Sequence, residues 1–329
     1  MALTNISQPG LNQGQSDALA GFLKVFSGEV ISAFERSALA VNNHLMRTIS
    51  SGKSASFPVM GRAKAAYLAA GQSLDDIREA IPHNEKTIGI DGLLTSDQLI
   101  SDIYEAMSHF DVRNEYSKQM GEALAVSADG AILAEIAKLA IDTKENITGL
   151  GKGIILDKKL DASDIGITEA EGKMIVQMLL ELKAKFSNQY VPATERYVYM
   201  KPEGVAALVA SWNAINRDFG AVGTLVEGNI TKIAGFNIIE VPHLTDGGAD
   251  GTHVMRSGTA HDFPSLYKSK CVFVAAHHTA VGTVKLKDLA VETGRRIEFQ
   301  ADQIVAKYAM GHGGLRPEAT AIGCISAND

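Results

Sequence analysis

The strongest constraint on the fold is one long run of apolar residues at helical spacing in the first half of the chain. From Asp111 to Ala140 these residues recur at steps of four and finally three, which places them on one helix face. They are Tyr116, Met120, Leu124, Ala128, Ile132, Ile136 and Leu139. The run predicts a rod of about 45 Å at about 1.5 Å per residue, capped by Asp111. Because Gly121 and Gly130 each cost about 1 kcal/mol relative to Ala, we expect other elements, for example a sheet, to pack against it.

Composition and charge indicate a chain that folds around a core and does not grip nucleic acid. A length of 329 residues suits about two domains. With 46% apolar and 21% charged residues, the chain can fill a substantial core. The net charge of −7 argues against a protein that binds nucleic acid by neutralising its phosphates. It does not exclude a protein wall that merely surrounds DNA. Cys271 and Cys324 lack metal-ligand spacing, and we expect two buried, reduced thiols. Neither a secretion signal nor a bilayer-spanning run is present, so we expect synthesis in a cytoplasm and no membrane partner.

The N-terminal region combines a polar tail with one apolar helix face. Residues 1–15 are rich in Gly, Gln and Asn, and we expect them to be poorly ordered alone. After Ser16 and Asp17, which suit helix caps, apolar residues recur at steps of three and four. They are Leu19, Phe22, Phe26, Val30 and Phe34. This helix is either an ordinary core helix or an arm that buries its stripe on a neighbouring subunit, and the sequence favours neither.

Residues 52–90 predict a long projecting hairpin. Their apolar residues are scattered without a sustained helical period, and between Ser54 and Ile90 the basic and acidic groups balance. The basic residues are Arg62, Lys64, Arg78 and Lys86, and the acidic residues are Asp75, Asp76, Glu79 and Glu85. Such charges either pair across a subunit boundary or form a solvated face. Exposed ion pairs contribute at most about 1 kcal/mol of stability each. At a subunit boundary, these charges would determine the register of the contact and the choice of partner more than the strength of binding.

The second half of the chain predicts helices beside a sheet, an α+β arrangement. Thr168 and Glu171 form a capping box in front of an apolar stripe. The stripe consists of Met174, Ile175, Met178, Leu179, Leu182 and Phe186. Residues 196–200 indicate a strand, Pro202 begins a helix, and the alternation around Gly235 indicates two more strands.

Two further segments complete the predicted organisation. A shorter helix from about Asp97 to His109 precedes the long rod. The loop from Thr245 to Lys270 is rich in Gly, His and Asp. Loops of this length are uncommon without a role, and an assembly contact is one such role.

The residue patterns of common catalytic and metal sites are missing or incomplete. His277 and His278 are adjacent in a strand-like run, so they point to opposite faces and cannot share one metal ion. Gly52–Lys53–Ser54 looks like the end of a phosphate loop, but Arg47 stands where that loop needs its first glycine. The G-x-S-x-G elbow of many hydrolases is absent. We therefore expect no catalytic residues, no cofactor and no metal, and a soluble α/β enzyme with an unrecognised site stays an alternative.

Several runs along the chain carry a family resemblance. They include FLKVFSGEV, SGKSASFPVMGR, AAYLAAG, SLDDIRE, IDGLLTSDQLISDIYEAMSHFDVRNEY, ADGAILAEIAKLA, EVPHLTDGG and the closing AVGTVKLKDLA through MGHGGLRPEAT. Together and in this order they resemble the major capsid protein of short-tailed phages (podoviruses). The resemblance is weaker between about Thr143 and Glu227 and after Asp250. It implies the Hong Kong-type capsid fold of tailed phages and herpesviruses.

The resemblance also implies a division of the chain into an arm, a loop and two domains. Residues 1–51 match the N-terminal arm, 52–90 the extended β-hairpin loop, and 91–167 the first part of the peripheral domain, with its spine helix at about 111–140. Residues 168–276 match the axial domain, and residues 277–329 match the second part of the peripheral domain.

A function and a set of partners follow from the resemblance. Copies of the chain would assemble as pentamers and hexamers into an icosahedral shell around the double-stranded DNA of a tailed phage. Scaffolding and portal proteins would be its partners, assembly would occur in the host cytoplasm, and the virion would be its final location. The nearest alternative is an encapsulin-like compartment shell, which holds enzyme cargo. Expected contact residues between subunits are Phe22, Phe26, Arg62, Lys64, Asp75, Asp76, Arg78, Glu79, Arg295, Arg296 and Arg316.

Overall fold

The computed structural model describes residues 38–103, 112–211, 223–224, 229–230, 232–245 and 261–328. The predicted N-terminal helix with Phe22 and Phe26, the Asp111 cap and most of the predicted loop after Thr245 lie outside the described residues. Within the described ranges, no helix combines the length and hydropathy needed to cross a membrane.

The predicted rod is present as helix α1, Val112–Ile141. Its predicted apolar face is buried, as the 2% and 0% exposed fractions of Leu124 and Ile132 show. Ala134 and Ala137 lie on other sides of the helix and are also fully buried. The prediction that other elements enclose this helix is therefore confirmed.

The other described elements come before and after α1 in the sequence. The strands are β1 (Leu45–Thr48), β2 (Ser54–Met60), β3 (His83–Gly89), β4 (Leu94–Ser101), β5 (Ile154–Leu160), β6 (Arg196–Met200), β7 (Gly223–Thr224), β8 (Asn229–Ile230), β9 (Lys232–Ile233), β10 (Phe236–Glu240), β11 (Cys271–His277), β12 (Val281–Arg296), β13 (Ala301–Gly314) and β14 (Thr320–Ala327). The remaining helices are α2 (Glu169–Asn188), α3 (Pro202–Ala210) and α4 (Ser265–Lys268).

Helix α1 lies between two sheets. The first has four strands in the order β1-β12-β13-β4, and the second has six in the order β5-β14-β11-β6-β10-β9. The helix contacts β4 and β13 of the first sheet and β5, β11 and β14 of the second. Helices on sheets are the α+β arrangement that the sequence predicted.

Two long strands form the centre of the first sheet. Strands β12 and β13 pair antiparallel from Val281 opposite Gly314 to Arg296 opposite Ala301. Strand β4 pairs antiparallel with β13 on one side, and β1 pairs parallel with the other edge of β12. The far end of the β12–β13 pair extends beyond the core, since residues 292–300 are exposed.

The predicted hairpin is present. Strands β2 and β3 pair antiparallel, with Ser54 opposite Gly89 and Met60 opposite His83. Phe57 and Val59 of β2 and Ile88 of β3 are buried in a small satellite core beside the first sheet. The connection between the two strands, residues 61–82, holds one short 3-10 helix and is otherwise irregular.

The second half follows its predicted pattern closely. The stripe on α2 is buried, with Ile175, Met178 and Phe186 fully enclosed. Strand β6 covers the predicted residues, and Pro202 begins α3. Strands β9 and β10 are joined through Ala234 and Gly235, whose φ angles of +54° and +90° define the two central positions of a tight hairpin turn.

The predicted capping box at the start of α2 is only half formed. The Thr168 hydroxyl accepts from the Glu171 N–H at 3.2 Å, as predicted. The Glu171 carboxylate, however, accepts from the Gly166 N–H, because the Thr168 N–H already donates to the Gly166 carbonyl at 2.8 Å.

The predicted helix from Asp97 to His109 is wrong over its first residues. Residues 97–101 belong to β4, and only residues 102–103 are helical before the described range ends. Pairing with β13 along its whole length holds β4 extended, and its Ile100 is buried. This long-range pairing overrides the helical preference of the segment.

The second sheet takes its strands from both predicted domains. Strands β5 and β14 come from segments that were assigned to the peripheral domain, while β6, β9 and β10 come from the axial segment. The predicted boundary between residues 276 and 277 falls inside β11. The division into peripheral and axial domains stays a prediction.

A buried carboxylate fixes where the N-terminal segment meets α1. Asp129 has no exposed surface, and it accepts the backbone N–H groups of three consecutive residues, Leu39, Ala40 and Val41, at 2.6, 2.9 and 3.1 Å. The Nε2 atom of His243 lies 3.6 Å from the same carboxylate. Successive N–H groups that converge on an anion form a strong, charge-assisted contact. The middle of α1 therefore anchors the N-terminal segment.

Removing this carboxylate should destabilise the subunit. We predict that Asp129→Ala lowers the free energy of unfolding by about 3–5 kcal/mol, because three buried N–H groups lose their acceptor. Denaturant unfolding of the unassembled subunit measures this change. The control Glu122→Ala, on the exposed side of α1, should change stability by less than about 0.5 kcal/mol. Equal effects of the two substitutions would contradict the anchoring role of Asp129.

Candidate intersubunit interface

The connection between β2 and β3 exposes apolar side chains. Tyr67 is completely exposed, and Leu68, Leu74 and Ile81 are each at least half exposed. Single exposed apolar residues are normal on a protein surface, but several on one projecting segment mark a contact surface. Among the described residues, nothing covers them.

Most of the predicted contact charges on this connection pair with each other inside the subunit. Lys64 lies 2.7 Å from the Glu79 carboxylate, and Arg78 lies 2.8 Å from the Asp75 carboxylate. Asp76 accepts the Ser73 N–H and closes a capping box on the short 3-10 helix. Because these side chains are more than half exposed, each pair contributes little stability. Their role between subunits stays a prediction.

The β12–β13 end forms a second projection. Arg295 forms a bidentate ion pair with Asp102 and lies 3.3 Å from Asp302. These hydrogen bonds with Asp102 and Asp302 raise the pKa of Arg295. Arg296 donates to the Gln303 side chain at 2.7 Å. Both predicted contact residues are thus held by neighbours within the subunit, and Ile297 stays exposed beside them.

The structure brings Arg62 and Arg316 together at the root of the hairpin. The Arg62 guanidinium lies 4.4 Å from the centre of the Tyr190 ring and donates to the Gln189 carbonyl. Arg316 donates to the Met60 carbonyl at 3.3 Å. The sequence predicted both arginines as contact residues but gave no sign that they are close.

A cavity of about 160 Å³ lies between these arginines. Its lining consists of Met60, Gly61, Arg62, Leu150, Gln189, Tyr190, Val191, Pro192, His277, Thr279, Arg316, Glu318 and Ala319. The wall therefore comes from the hairpin root, the segment after α2, the end of β11 and the segment before β14. Sequence reasoning missed Gln189, Tyr190 and Glu318, because no local pattern marks residues that only tertiary packing brings together.

Two buried histidines, His44 and His312, lie in one hydrogen-bond chain. His44 Nδ1 lies 2.9 Å from the Ala40 carbonyl and therefore donates to it. The neutral ring then accepts at Nε2 from the Thr283 hydroxyl, 2.6 Å away, and that hydroxyl accepts from His312 Nδ1 at 2.8 Å. Burial lowers the pKa of His44 to about 4 and that of His312 well below its usual value. Both rings are neutral at physiological pH.

His261 is the charged member of the cluster. Its ring lies edge-on to His312, with centroids 5.6 Å apart. Its nitrogens contact the carboxylates of Asp91 at 2.7 Å and Glu135 at 2.9 Å. Burial alone lowers the pKa of His261, but these two carboxylates more than offset it and raise the pKa to about 9. His261 therefore joins α1 to the segment after the hairpin as a partly buried cation between two anions.

The described residues contain no group of three or more His, Cys, Asp or Glu side chains that could hold a metal ion. Cys271 and Cys324 face each other across β11 and β14, and both are buried and free. The contact with Cys324 and burial raise the pKa of Cys271, so this thiol is unreactive.

Solved phage capsid structures resemble this chain. The capsid of the cyanophage P-SCSP1u matches with a TM-score of 0.73 and 32% identity, over 99% of this chain and 100% of that one. The two projecting segments and the helix between sheets thus belong to a shell-forming subunit with the Hong Kong-type fold, as predicted.

Sequence comparison shows the family. A family model described as "Gp10A-like: Major capsid protein" matches residues 56–323. The major capsid protein of Escherichia phage T7 is 47% identical over 334 residues, covering 97% of each chain. That of Enterobacteria phage T3 is 48% identical over 329 residues, covering 95% of this chain and 94% of its own. This chain belongs to the Gp10A-like family and is a major capsid protein of a tailed phage.

The histidine cluster makes stability depend on pH in two directions. His44, with its lowered pKa, contributes stability that is complete above about pH 6.5 and is lost as pH falls toward 4. His261, with its raised pKa, contributes stability that is complete below about pH 6.5 and is lost as pH rises through 9. We predict that the unassembled subunit loses stability by about 3 kcal/mol between pH 6.5 and 9.

Thermal unfolding across this pH range tests the prediction. His261→Gln should flatten the alkaline decline, because the side chain that titrates is gone. His278→Gln is the matched control, since His278 is partly exposed and lies outside the contacts of His261. An alkaline decline that persists in His261→Gln would assign it to another group.

Proposed function

We propose that this chain assembles as pentamers and hexamers into an icosahedral shell that encloses the double-stranded DNA genome of a short-tailed phage. The observation that carries the proposal is the connection 61–82, whose apolar side chains are uncovered while its charges already have partners. Such a surface gains free energy when another copy covers it. The charges then set the register of the contact.

Head-to-tail contacts of this kind suit a closed shell. A projection on one copy that binds a different surface of the next copy makes a heterologous contact, which closes into rings. Rings of five and six copies require some segments to bend. Gly71 and Gly92 have φ angles of +86° and +124° with open space around them, so each provides a position of backbone freedom. Gly61 lacks this open space, because a Cβ at that position would lie 2.8 Å from Pro82.

Each segment of the chain has an expected role in this assembly. Residues 1–51 would form the N-terminal arm, of which residues 38–51 lie on their own subunit through Asp129 and strand β1. Residues 52–90 would form the overlying loop, 91–167 and 277–329 the peripheral domain, and 168–276 the axial domain around the ring centre. The net charge of −7 suits a wall that encloses DNA without binding it in a sequence-specific way. Scaffolding and portal proteins would be partners during assembly in the host cytoplasm. No reaction is assigned to the chain.

Expression with the scaffolding protein of the same phage tests this proposal. Electron microscopy should show closed particles, and particles from infected cells should contain nuclease-protected double-stranded DNA. A subunit that stays monodisperse with its scaffold would contradict the assembly. Particles with protein cargo and no DNA would instead support a compartment shell.

Charge reversal at the hairpin should reduce assembly more than folding. We predict that Arg62→Glu/Lys64→Glu lowers particle yield at least about tenfold, equivalent to about 1.4 kcal/mol. The unfolding free energy of the free subunit should fall by about 1 kcal/mol or less, because both residues are exposed. Quantitative electron microscopy and denaturant unfolding measure the two effects. Normal particle yield would remove these residues from the interface.

A charge swap separates the two possible roles of Lys64. Lys64→Glu/Glu79→Lys restores the ion pair inside the hairpin but reverses the charges that a neighbour meets. If the pair acts between copies, the swap assembles as poorly as Lys64→Glu alone. Full recovery of assembly would assign the pair to the hairpin itself.

Deletion of residues 1–20 tests the arm. We predict a soluble, folded subunit that forms fewer and less stable particles, because the deleted segment would bind a neighbour and not its own core. Circular dichroism and thermal disassembly of particles measure the two properties. An unfolded product would make the segment part of the core of its own subunit.

A further inference from the structure

Each of the two projecting segments contains a short 3-10 turn with an exposed apolar side chain. The first turn, Leu74–Asp76, lies in the connection 61–82. The second turn, Ile297–Phe299, joins β12 to β13. Leu74 is 64% exposed and Ile297 is 74% exposed, and exposed apolar side chains on a projection mark a contact surface.

The two turns carry opposite charges that lack an ionic partner in their own subunit. Asp76 accepts the Ser73 N–H at 3.3 Å and forms no ion pair with a described cation. Arg296 donates from Nε to the Gln303 side chain at 2.7 Å and forms no ion pair with a described carboxylate, the exposed Glu298 included. Its Nη1 and Nη2 atoms can therefore bind a carboxylate from outside the subunit.

The charges next to Asp76 and Arg296 are already paired inside the subunit. These pairs are Asp75 with Arg78, and Arg295 with Asp102 and Asp302. Because these neighbours compensate each other, Asp76 on one turn and Arg296 beside the other are a complementary pair.

Within one subunit, the two turns lie beyond opposite ends of β13. Asp91, where the hairpin leaves the first sheet, donates its N–H to the Met310 carbonyl at 3.2 Å. Met60, where the connection 61–82 begins, accepts from Arg316 at 3.3 Å, past the last residue of β13. The hairpin therefore leads toward the end of β13, whereas the second turn precedes its start. The 14 residues of β13 span about 45 Å at about 3.3 Å each, so a contact between the turns requires two copies.

We propose that the first turn of one copy binds the second turn of another copy in the shell. Asp76 then pairs with Arg296, and Leu74 packs against Ile297. The contact joins two different surfaces, as a head-to-tail arrangement requires. This inference rests on the proposed function, and it names the surface that covers part of the connection 61–82.

Charge reversal with rescue tests the ion pair. Asp76→Arg and Arg296→Glu should each raise the subunit concentration needed for assembly with scaffold about tenfold, because like charges then meet. The double variant Asp76→Arg/Arg296→Glu restores an ion pair of reversed sign and should return to within about threefold of the wild-type concentration. Light scattering and electron microscopy measure assembly. Because both residues are exposed, the melting temperature of the free subunit should change by less than about 2 °C.

A matched double variant controls for net charge. Asp76→Arg/Lys287→Glu makes the same two changes of charge, but Lys287 is an exposed residue earlier in β12. It also loses the same acceptor for the Ser73 N–H. This control should assemble as poorly as Asp76→Arg alone. Equal recovery in the two double variants, or no recovery in Asp76→Arg/Arg296→Glu, would overturn the inference.

Cryo-electron microscopy of the wild-type particle gives the direct result. The expected density places the Arg296 guanidinium within about 2.7–3.2 Å of the Asp76 carboxylate of another copy. A first turn that instead lies on another part of the neighbour, or on a scaffolding protein, would overturn the inference and leave the proposed function intact. Failure of the wild-type chain to form closed particles with scaffold would overturn both.

Discussion

The burial of α1 between two sheets is the constraint on which the rest of the structure depends. Both sheets place strands on this helix, and fully buried alanines on several of its sides allow close packing. Asp129 adds a polar contact in the middle of the helix, where its carboxylate accepts three N–H groups of the N-terminal segment. His261 adds another through Glu135 on the same helix. The helix therefore fixes the positions of segments that lie far apart in the sequence.

The two projecting segments combine charges that are paired within the subunit with apolar side chains that are exposed. Lys64 with Glu79, and Arg295 with Asp102, are ion pairs within the subunit, and exposed pairs of this kind add little stability. The apolar side chains of Tyr67 and Ile297 have no such cover. In the proposed shell, apolar burial would drive the association of copies, and the charges would determine which arrangements are compatible. Contacts that are individually weak allow misplaced subunits to leave during growth.

Sequence patterns predicted the elements whose residues are neighbours along the chain. Helix α1 and the buried stripe of α2 were predicted because their apolar residues follow one period over many turns. The segment at 97–101 was predicted as helix and is strand, because its pairing partner β13 lies some 200 residues later in the chain. The cavity at the hairpin root was not predicted, since Arg62, Gln189, His277 and Glu318 come from four separate segments. The roles of Phe22 and Phe26 stay predictions.

In the proposed shell, residues 61–82 are covered by another copy of the chain. Hydrogen–deuterium exchange of the free subunit and of the assembled particle, followed peptide by peptide, tests it most directly. Backbone amides in this connection should exchange rapidly in the free subunit and slow strongly in the particle, while those of α1 are protected in both states. Exchange in residues 61–82 that is equally fast in both states would contradict the account.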